Sequence, residues 1–104
     1  MQRIAFLMKL KAGQEAEYLR RHTEIWPEMV ETLKKAGISN YNIYRNGLQL
    51  IGTLEVEDFK YMTGFLSNDP TAARWEHTMK DIIERDVDPE TGFPALLPQM
   101  FHLD

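Results

Sequence analysis

The stretch ISNYNIYRNGLQLIGTLEV, residues Ile38–Val56, decides the fold. Two strand-like runs flank Asn46-Gly47, and this dipeptide is the strongest two-residue signal for a β-hairpin. In the second run the side chains alternate between two faces: Leu48, Leu50, Leu54 and Val56 take one face, and Gln49, Ile51, Thr53 and Glu55 take the other. The stretch therefore predicts a pair of antiparallel strands in the middle of the chain.

The segment before this hairpin predicts one strand and one interrupted helical unit. Arg3–Lys11 is a short apolar run that is followed by Gly13, as is typical of a buried strand. From Gln14 to Lys35 apolar residues recur every three or four positions, which indicates helix, except for a break between His22 and Pro27. Cations in the last turn and a following glycine predict the end of this unit.

The segment after the hairpin repeats the order of helix and strand. Asp58–Asn68 predicts a short helix, and Asp69-Pro70 supplies an N-cap and a first-turn proline for a second helix from Thr71 to about Glu84. A polar, turn-rich loop covers Arg85–Pro94. Leu96–Leu103 then predicts the last strand.

The resulting order, βαββαβ, predicts a ferredoxin-like α+β fold, with one domain over residues 1–104 and both helical units on one face of an antiparallel sheet. The other face of the sheet carries Ala5, Leu7 and Ile51, so it is partly apolar and would be exposed to solvent in a monomer. Two such faces paired together give a homodimer with an enclosed interior. We therefore expect a dimeric α/β barrel.

Composition excludes several classes of function. The 104 residues carry 12 Lys and Arg against 16 Asp and Glu, a net charge of −4, which argues against a nucleic-acid or anionic-membrane binder. The absence of cysteine excludes disulfides, thiolate chemistry and cysteine-ligated metals. No apolar run approaches the roughly 20 residues that a membrane-spanning helix needs. A cytoplasmic protein with no nucleic-acid or membrane partner is the expectation.

The sequence offers few residues for chemistry. Its three histidines, His22, His77 and His102, do not fall in a metal-ligand spacing, so no metal site is expected. There is no glycine-rich phosphate loop and no nucleophile elbow around a serine. Acid–base chemistry without a cofactor, or simple binding, is what remains.

The segment YLRRHTEIWPEM, Tyr18–Met29, carries the best candidate. Tyr18 and His22 are four residues apart and therefore lie on the same side of a helix. An imidazole with an ordinary pKa of about 6.5 exchanges its proton near neutrality. Flat aromatic rings beside polar donors suit a sugar, whose C–H face stacks while its hydroxyls are hydrogen-bonded. The alternative is that His22 is a hydrogen-bonded residue at the edge of the core.

Other aromatic residues allow two interpretations each. Tyr41 lies on the face of its strand opposite Tyr44, so one of the two points at the helices and the other at the far side of the sheet. Trp75 is spaced from Met79 like a core residue, which favours packing over binding. Glu76, next to it, also fits a solvated helix residue.

The sequence resembles the L-rhamnose mutarotase family nearly end to end. The resemblance is carried by AFLMKL (Ala5–Leu10), EYLRRHTEIWPEM (Glu17–Met29), NYNIY (Asn40–Tyr44), RW (Arg74-Trp75) and MFHL (Met100–Leu103). The pattern YxRRHxxIWPE is its specific part. The resemblance implies a dimer of ferredoxin-like subunits that interconverts the α and β anomers of L-rhamnose, an isomerase that needs no cofactor.

The resemblance also implies roles for single residues. His22 matches the proton donor, and Tyr18 and Tyr41 match residues that contact the sugar. The family's tryptophan pair matches Trp75 and Glu76, so a carboxylate stands where the second ring is expected; Glu76 then hydrogen-bonds a hydroxyl or helps as a base. The helix break lets Tyr18, His22 and Trp26 line the pocket in this hypothesis.

Some alternatives stay open at the level of sequence. The base that partners the histidine is Tyr18, Glu76, His102 or an activated water. The same architecture serves dimeric-barrel monooxygenases, haem-degrading or cofactor-free, because a fold does not determine a function. A non-catalytic sugar-binding domain is the third alternative.

Overall fold

The structure, a computed structural model, describes residues 1–84 and 86–104. Arg85, the first residue of the predicted polar loop, lies outside the described residues. The elements are β1 (Gln2–Leu10), α1 (Glu15–Thr23), α2 (Pro27–Lys35), β2 (Ile38–Asn46), β3 (Gln49–Val56), α3 (Phe59–Asn68), α4 (Pro70–Met79) and β4 (Ile83–Glu84).

The four strands form one antiparallel sheet in the order β2-β3-β1-β4. This strand order and the βαββαβ succession confirm the predicted ferredoxin-like α+β fold. The predicted caps are also present, since Asp58 accepts a hydrogen bond from the backbone N–H of Tyr61 and Asp69 accepts one from Ala72. None of the helices in the described part of the chain is both long and apolar enough to span a bilayer.

The central hairpin turns one residue later than predicted. Asn46 pairs with Gln49, so the two-residue loop is Gly47-Leu48 rather than Asn46-Gly47. Gly47 takes a φ of 62°, which a two-residue hairpin turn requires and glycine adopts without strain.

An irregularity in β2 decides which way Tyr41 points. The pairing between β2 and β3 shifts register between Ser39 and Asn42, and Asn40 between them has a φ of 47°. Ile38 and Tyr41 are three residues apart, so a regular strand would send them to opposite faces. Both instead pack against the same core cluster on the helix-facing side, because the bulge reverses the alternation. Tyr44 takes the other face and is 60% exposed.

The C-terminal third departs from the sequence-based prediction. The helix expected to run to about Glu84 ends at Met79, and Ile83–Glu84 form β4 opposite Lys9 and Leu10. The turn after Met79 lets the β-branched Ile82 and Ile83 pack against the sheet, which suits them better than a helix.

The strand predicted over Leu96–Leu103 is wrong. Its first residues pair with the backbone of the sheet: Leu96 bridges Phe6, and the backbone N–H of Leu97 donates to the carbonyl of Ala5 at 2.7 Å. Pro98 has no N–H to continue the ladder. The remaining residues have no regular secondary structure, and Met100, Phe101 and Leu103 are 80–89% exposed.

The core consists of two clusters on the helix-facing side of the sheet. One is centred on Phe6 and includes Met62 of α3, and the other joins Leu10 and Leu50 of the sheet to Tyr18 of α1. Phe6 lies across the sheet from Gly52, its antiparallel partner, and is 1% exposed. A Cβ added at Gly52 would lie 2.7 Å from two ring carbons of Phe6 and closer still to a third. The glycine therefore makes room for the ring.

We predict that Gly52→Ala lowers the free energy of unfolding by about 1–3 kcal/mol, because the buried ring must shift out of its position. Gly64→Ala in the exposed interior of α3 is the matched control. Nothing lies within 4 Å of its added Cβ, so it should stabilise by up to about 1 kcal/mol through helix propensity. Urea unfolding of both variants measures the difference. A Gly52→Ala protein as stable as wild type contradicts the packing described here.

Candidate active site

The side chains of Tyr18 and His22 form the centre of the site. They are one helical turn apart in α1, and their rings stack with centroids 4.2 Å apart at an interplanar angle of 26°. Tyr18 is 7% exposed because it belongs to the core cluster of Leu10 and Leu50, while His22 is partly exposed. The core therefore fixes the tyrosine, and the tyrosine supports the imidazole.

The hydrogen bond of His22 determines its tautomer. Its Nδ1 lies 3.1 Å from the backbone carbonyl oxygen of Tyr18. A carbonyl oxygen only accepts, so Nδ1 carries the proton and donates, and in the neutral ring Nε2 keeps its lone pair. Burial lowers the pKa of His22 below its ordinary value of 6.5, and the hydrogen bond to Tyr18 offsets this in part. At neutral pH the side chain is therefore mainly a neutral imidazole with a basic Nε2.

Trp75 of α4 also packs against the imidazole. Its ring meets His22 edge-on with centroids 5.4 Å apart, and it also packs against the core cluster of Tyr18. The two interpretations offered for this tryptophan are thus both realised, since one part of the side chain is in the core and another borders the site.

Trp26 does not line the cavity described below, contrary to the hypothesis drawn from the helix break. Its ring packs edge-to-face on Trp75 at 5.1 Å, with the guanidinium of Arg74 at 5.4 Å from its centroid. Trp26 therefore supports Trp75 from behind.

The break between α1 and α2 explains this arrangement. In one continuous helix Trp26 would lie directly beyond His22, four residues on. Instead α1 ends at Thr23, Trp26 is the N-cap of α2 with extended backbone angles, and Pro27 begins that helix. The tryptophan is thereby turned from the face of α1 towards α4.

Arg21 joins α1 to the end of α4 beside the site. Its guanidinium donates to the carbonyl of Thr78 at 2.7 Å, to Asp81 at 3.0 Å and to Glu17 at 2.6 Å. Its side chain is 17% exposed, against 57% for Arg20. Arg20 and Arg21 together lower the pKa of Glu17 to about 2 by hydrogen bonding to its carboxylate. The contacts of Arg21 with Thr78 and Asp81 join the helix of His22 to the end of the helix of Trp75.

Tyr41 and Tyr18 contribute two neutral phenols. Burial raises the pKa of Tyr41 to about 12. Burial, and then the nearby Tyr41, raise the pKa of Tyr18 above its usual value. Both hydroxyls stay protonated at neutral pH, so they act as hydrogen-bond donors and neither is suited to act as a base.

A cavity of about 1460 Å³ joins these groups. Five of the residues singled out in the sequence line it: Tyr18, His22, Tyr41, Trp75 and Glu76. Glu76 is exposed at its border. His77 and His102 do not line it, and the ring of His102 instead contacts Arg3 of β1 and Asp104 at the C-terminus. Within residues 1–84 and 86–104 no group of three or more His, Asp or Glu side chains is arranged to hold a metal ion.

Glu15 is a cavity residue that the sequence patterns did not single out. It lies three residues before Tyr18 and seven before His22, so helical spacing puts it on their side of α1. This spacing was a signal available in the sequence. The signal is weak, because acidic residues are common in the first turn of any helix, where they interact favourably with the helix dipole.

Fold and site together define a ferredoxin-like α+β protein that carries a neutral histidine between aromatic rings in a cavity. A sequence model of the family described as L-rhamnose mutarotase matches residues 3–103. The chain belongs to the L-rhamnose mutarotase family.

Similar proteins agree with this assignment over their whole length. An L-rhamnose mutarotase of Mesorhizobium japonicum is 42% identical, with 98% of this chain and 97% of the relative covered. One of Opitutus terrae is 39% identical with both chains fully covered. The crystal structure of an L-rhamnose mutarotase from Formosa agariphila superposes with a TM-score of 0.82 at 30% identity over both full chains. These findings favour the mutarotase hypothesis over the monooxygenase and the passive sugar-binding domain.

Proposed function

We propose that this protein interconverts the α and β anomers of L-rhamnose. The observation that carries the proposal is the imidazole of His22, which is mainly neutral, has a basic Nε2, and lies between the rings of Tyr18 and Trp75 in a cavity. The family assignment supplies the reaction and the sugar. The local geometry supplies a group able to take up and return a proton near neutral pH.

Mutarotation moves one proton between two oxygens of the sugar. Nε2 of His22 accepts the proton of the C1 hydroxyl, and the imidazolium returns a proton to the ring oxygen as the bond between C1 and that oxygen breaks. The product is the open-chain aldehyde. Rotation about the bond between C1 and C2 presents the other face of the aldehyde, and the reverse proton transfers close the ring. His22 thus serves as base and then as acid, and is regenerated.

The other cavity residues bind and orient the sugar in this proposal. The hydroxyls of Tyr18 and Tyr41 donate hydrogen bonds to it, which their raised pKa values support. Trp75 gives an aromatic surface for the C–H face of the ring. Glu76 at the border of the cavity accepts a hydrogen bond from a hydroxyl. Of the bases left open by the sequence, Tyr18 is disfavoured by its raised pKa and His102 by its position outside the cavity.

The test is NMR exchange between the anomeric proton signals of L-rhamnose with catalytic amounts of protein. Wild type should accelerate the exchange, and His22→Gln should lose about 10²- to 10⁴-fold of the acceleration, the usual contribution of a positioned acid–base group. His77→Ala is the matched control, because His77 is an exposed histidine of α4 that does not line the cavity. It should exchange anomers like wild type.

Two results contradict the proposal. Wild type that binds L-rhamnose without accelerating exchange is a passive sugar-binding domain. A His22→Gln protein as active as wild type means that the proton passes through another group.

The proposal extends to a single-domain homodimer in the cytoplasm. It is supported by the sheet face opposite the helices, where Leu7 is 39% and Tyr44 60% exposed, and by the apolar C-terminal segment. Pairing two such faces removes apolar surface from water.

Light scattering should give twice the chain mass of 12.2 kDa. Leu7→Glu should shift the measured mass towards that of a single chain. A wild type that stays at the mass of one chain at micromolar concentration contradicts the dimer.

A further inference from the structure

The Oε1 atom of Glu15 is buried and has no hydrogen-bond partner in the part of the chain that the structure describes. It is the one buried side-chain oxygen or nitrogen with this property among the described residues. Burying a carboxylate oxygen without a partner costs free energy, so such an atom calls for an explanation. Its place in the lining of the cavity offers one.

The structural roles open to an acidic residue at this point do not use the buried oxygen. The N-cap of α1 is Gln14, so Glu15 does not occupy the capping position. The charge favours the helix N-terminus, but this effect acts equally on an exposed carboxylate. Glu17, two residues further on, differs from Glu15 in this respect, because its carboxylate is ion-paired with Arg20 and Arg21.

The distance from Glu15 to His22 decides between binding and proton transfer. Seven residues of α-helix rise about 10 Å, and the two side chains lie on the same side of the helix. That is too far for Glu15 to exchange a proton with the imidazole or with an atom bound to it. It is comparable with the length of a monosaccharide together with one hydrogen bond at each end. A sugar with C1 at Nε2 of His22 can therefore reach Glu15 with a remote hydroxyl.

We infer that Glu15 is a further substrate-binding residue, whose carboxylate accepts a hydrogen bond from a ring hydroxyl on the side of the sugar remote from C1. The inference rests on the proposed function, since it takes the position of C1 from it. The sugar hydroxyl satisfies the buried oxygen, so the cost of burying it is recovered only in the complex. Glu15 then contributes to the choice of sugar and not to the proton transfer.

Glu15→Gln and Glu15→Leu test this by calorimetric binding of L-rhamnose and by anomer exchange. Loss of a charge-assisted hydrogen bond should raise the dissociation constant about 10-fold or more, most strongly for leucine. The maximal exchange rate at saturating sugar should stay that of wild type. Glu28→Gln is the matched control, because Glu28 is also acidic in the first turn of a helix but does not line the cavity. It should bind sugar like wild type.

Two further readouts separate binding from a structural role. Thermal unfolding of sugar-free Glu15→Gln should lie no lower than that of Glu28→Gln, since both lose only the interaction with a helix N-terminus. Analogues of L-rhamnose that each lack one hydroxyl remote from C1 identify the bonded group. One of these deletions should weaken binding to wild type and have little further effect on Glu15→Leu.

The outcomes are distinguishable from failure of the proposed function. Glu15 variants that bind L-rhamnose like wild type, or that lose affinity equally for every analogue, overturn the inference while leaving the mutarotase activity intact. A loss of maximal rate without a loss of affinity overturns it too. A wild type that neither binds L-rhamnose nor exchanges its anomers overturns both.

Discussion

The stacking of the Tyr18 ring on the imidazole of His22 is the interaction on which the site depends. It shields one face of the imidazole from water and so contributes to the burial that lowers the pKa of His22, while the backbone carbonyl of Tyr18 accepts a hydrogen bond from the Nδ1–H and leaves Nε2 basic. Tyr18 therefore sets the tautomer of His22, while burial of the ring lowers its pKa against the smaller, opposite effect of this hydrogen bond. The stack is fixed in turn because Tyr18 belongs to the core and cannot move without disturbing Leu10 and Leu50.

The rest of the fold brings other groups to this pair. The break before Pro27 turns Trp26 towards α4, where it supports Trp75 against His22. The bulge in β2 turns Tyr41 to the helix-facing side of the sheet, and Arg21 ties α1 to the end of α4. Each of these features departs from regular secondary structure or adds a contact between elements. Tyr41 lines the cavity itself, while Trp26 and Arg21 support the elements that line it.

Local signals in the sequence predicted the order of elements and brought out the residues at the centre of the candidate site. The turn at Gly47, the caps at Asp58 and Asp69 and the four-residue spacing of Tyr18 and His22 are properties of short segments, so they can be recognised before the fold is known. Other features depend on what each segment packs against in the folded chain. These are the conformation of Leu96–Leu103, the end of α4 at Met79 and the position of Trp26. The unpartnered oxygen of Glu15 could not be predicted from the sequence, because the burial of an atom is a property of the folded chain.

The most direct test of this account is a titration of His22 by ¹⁵N NMR of the imidazole ring in the sugar-free protein. The account predicts a midpoint below 6.5, with the proton of the neutral form on Nδ1, and a change in the ring signals when L-rhamnose is added. A midpoint above 6.5 would contradict the lowering of the pKa of His22 by burial. A neutral ring protonated on Nε2 would contradict the account too, because Nε2 would then have no lone pair to accept the proton of the C1 hydroxyl.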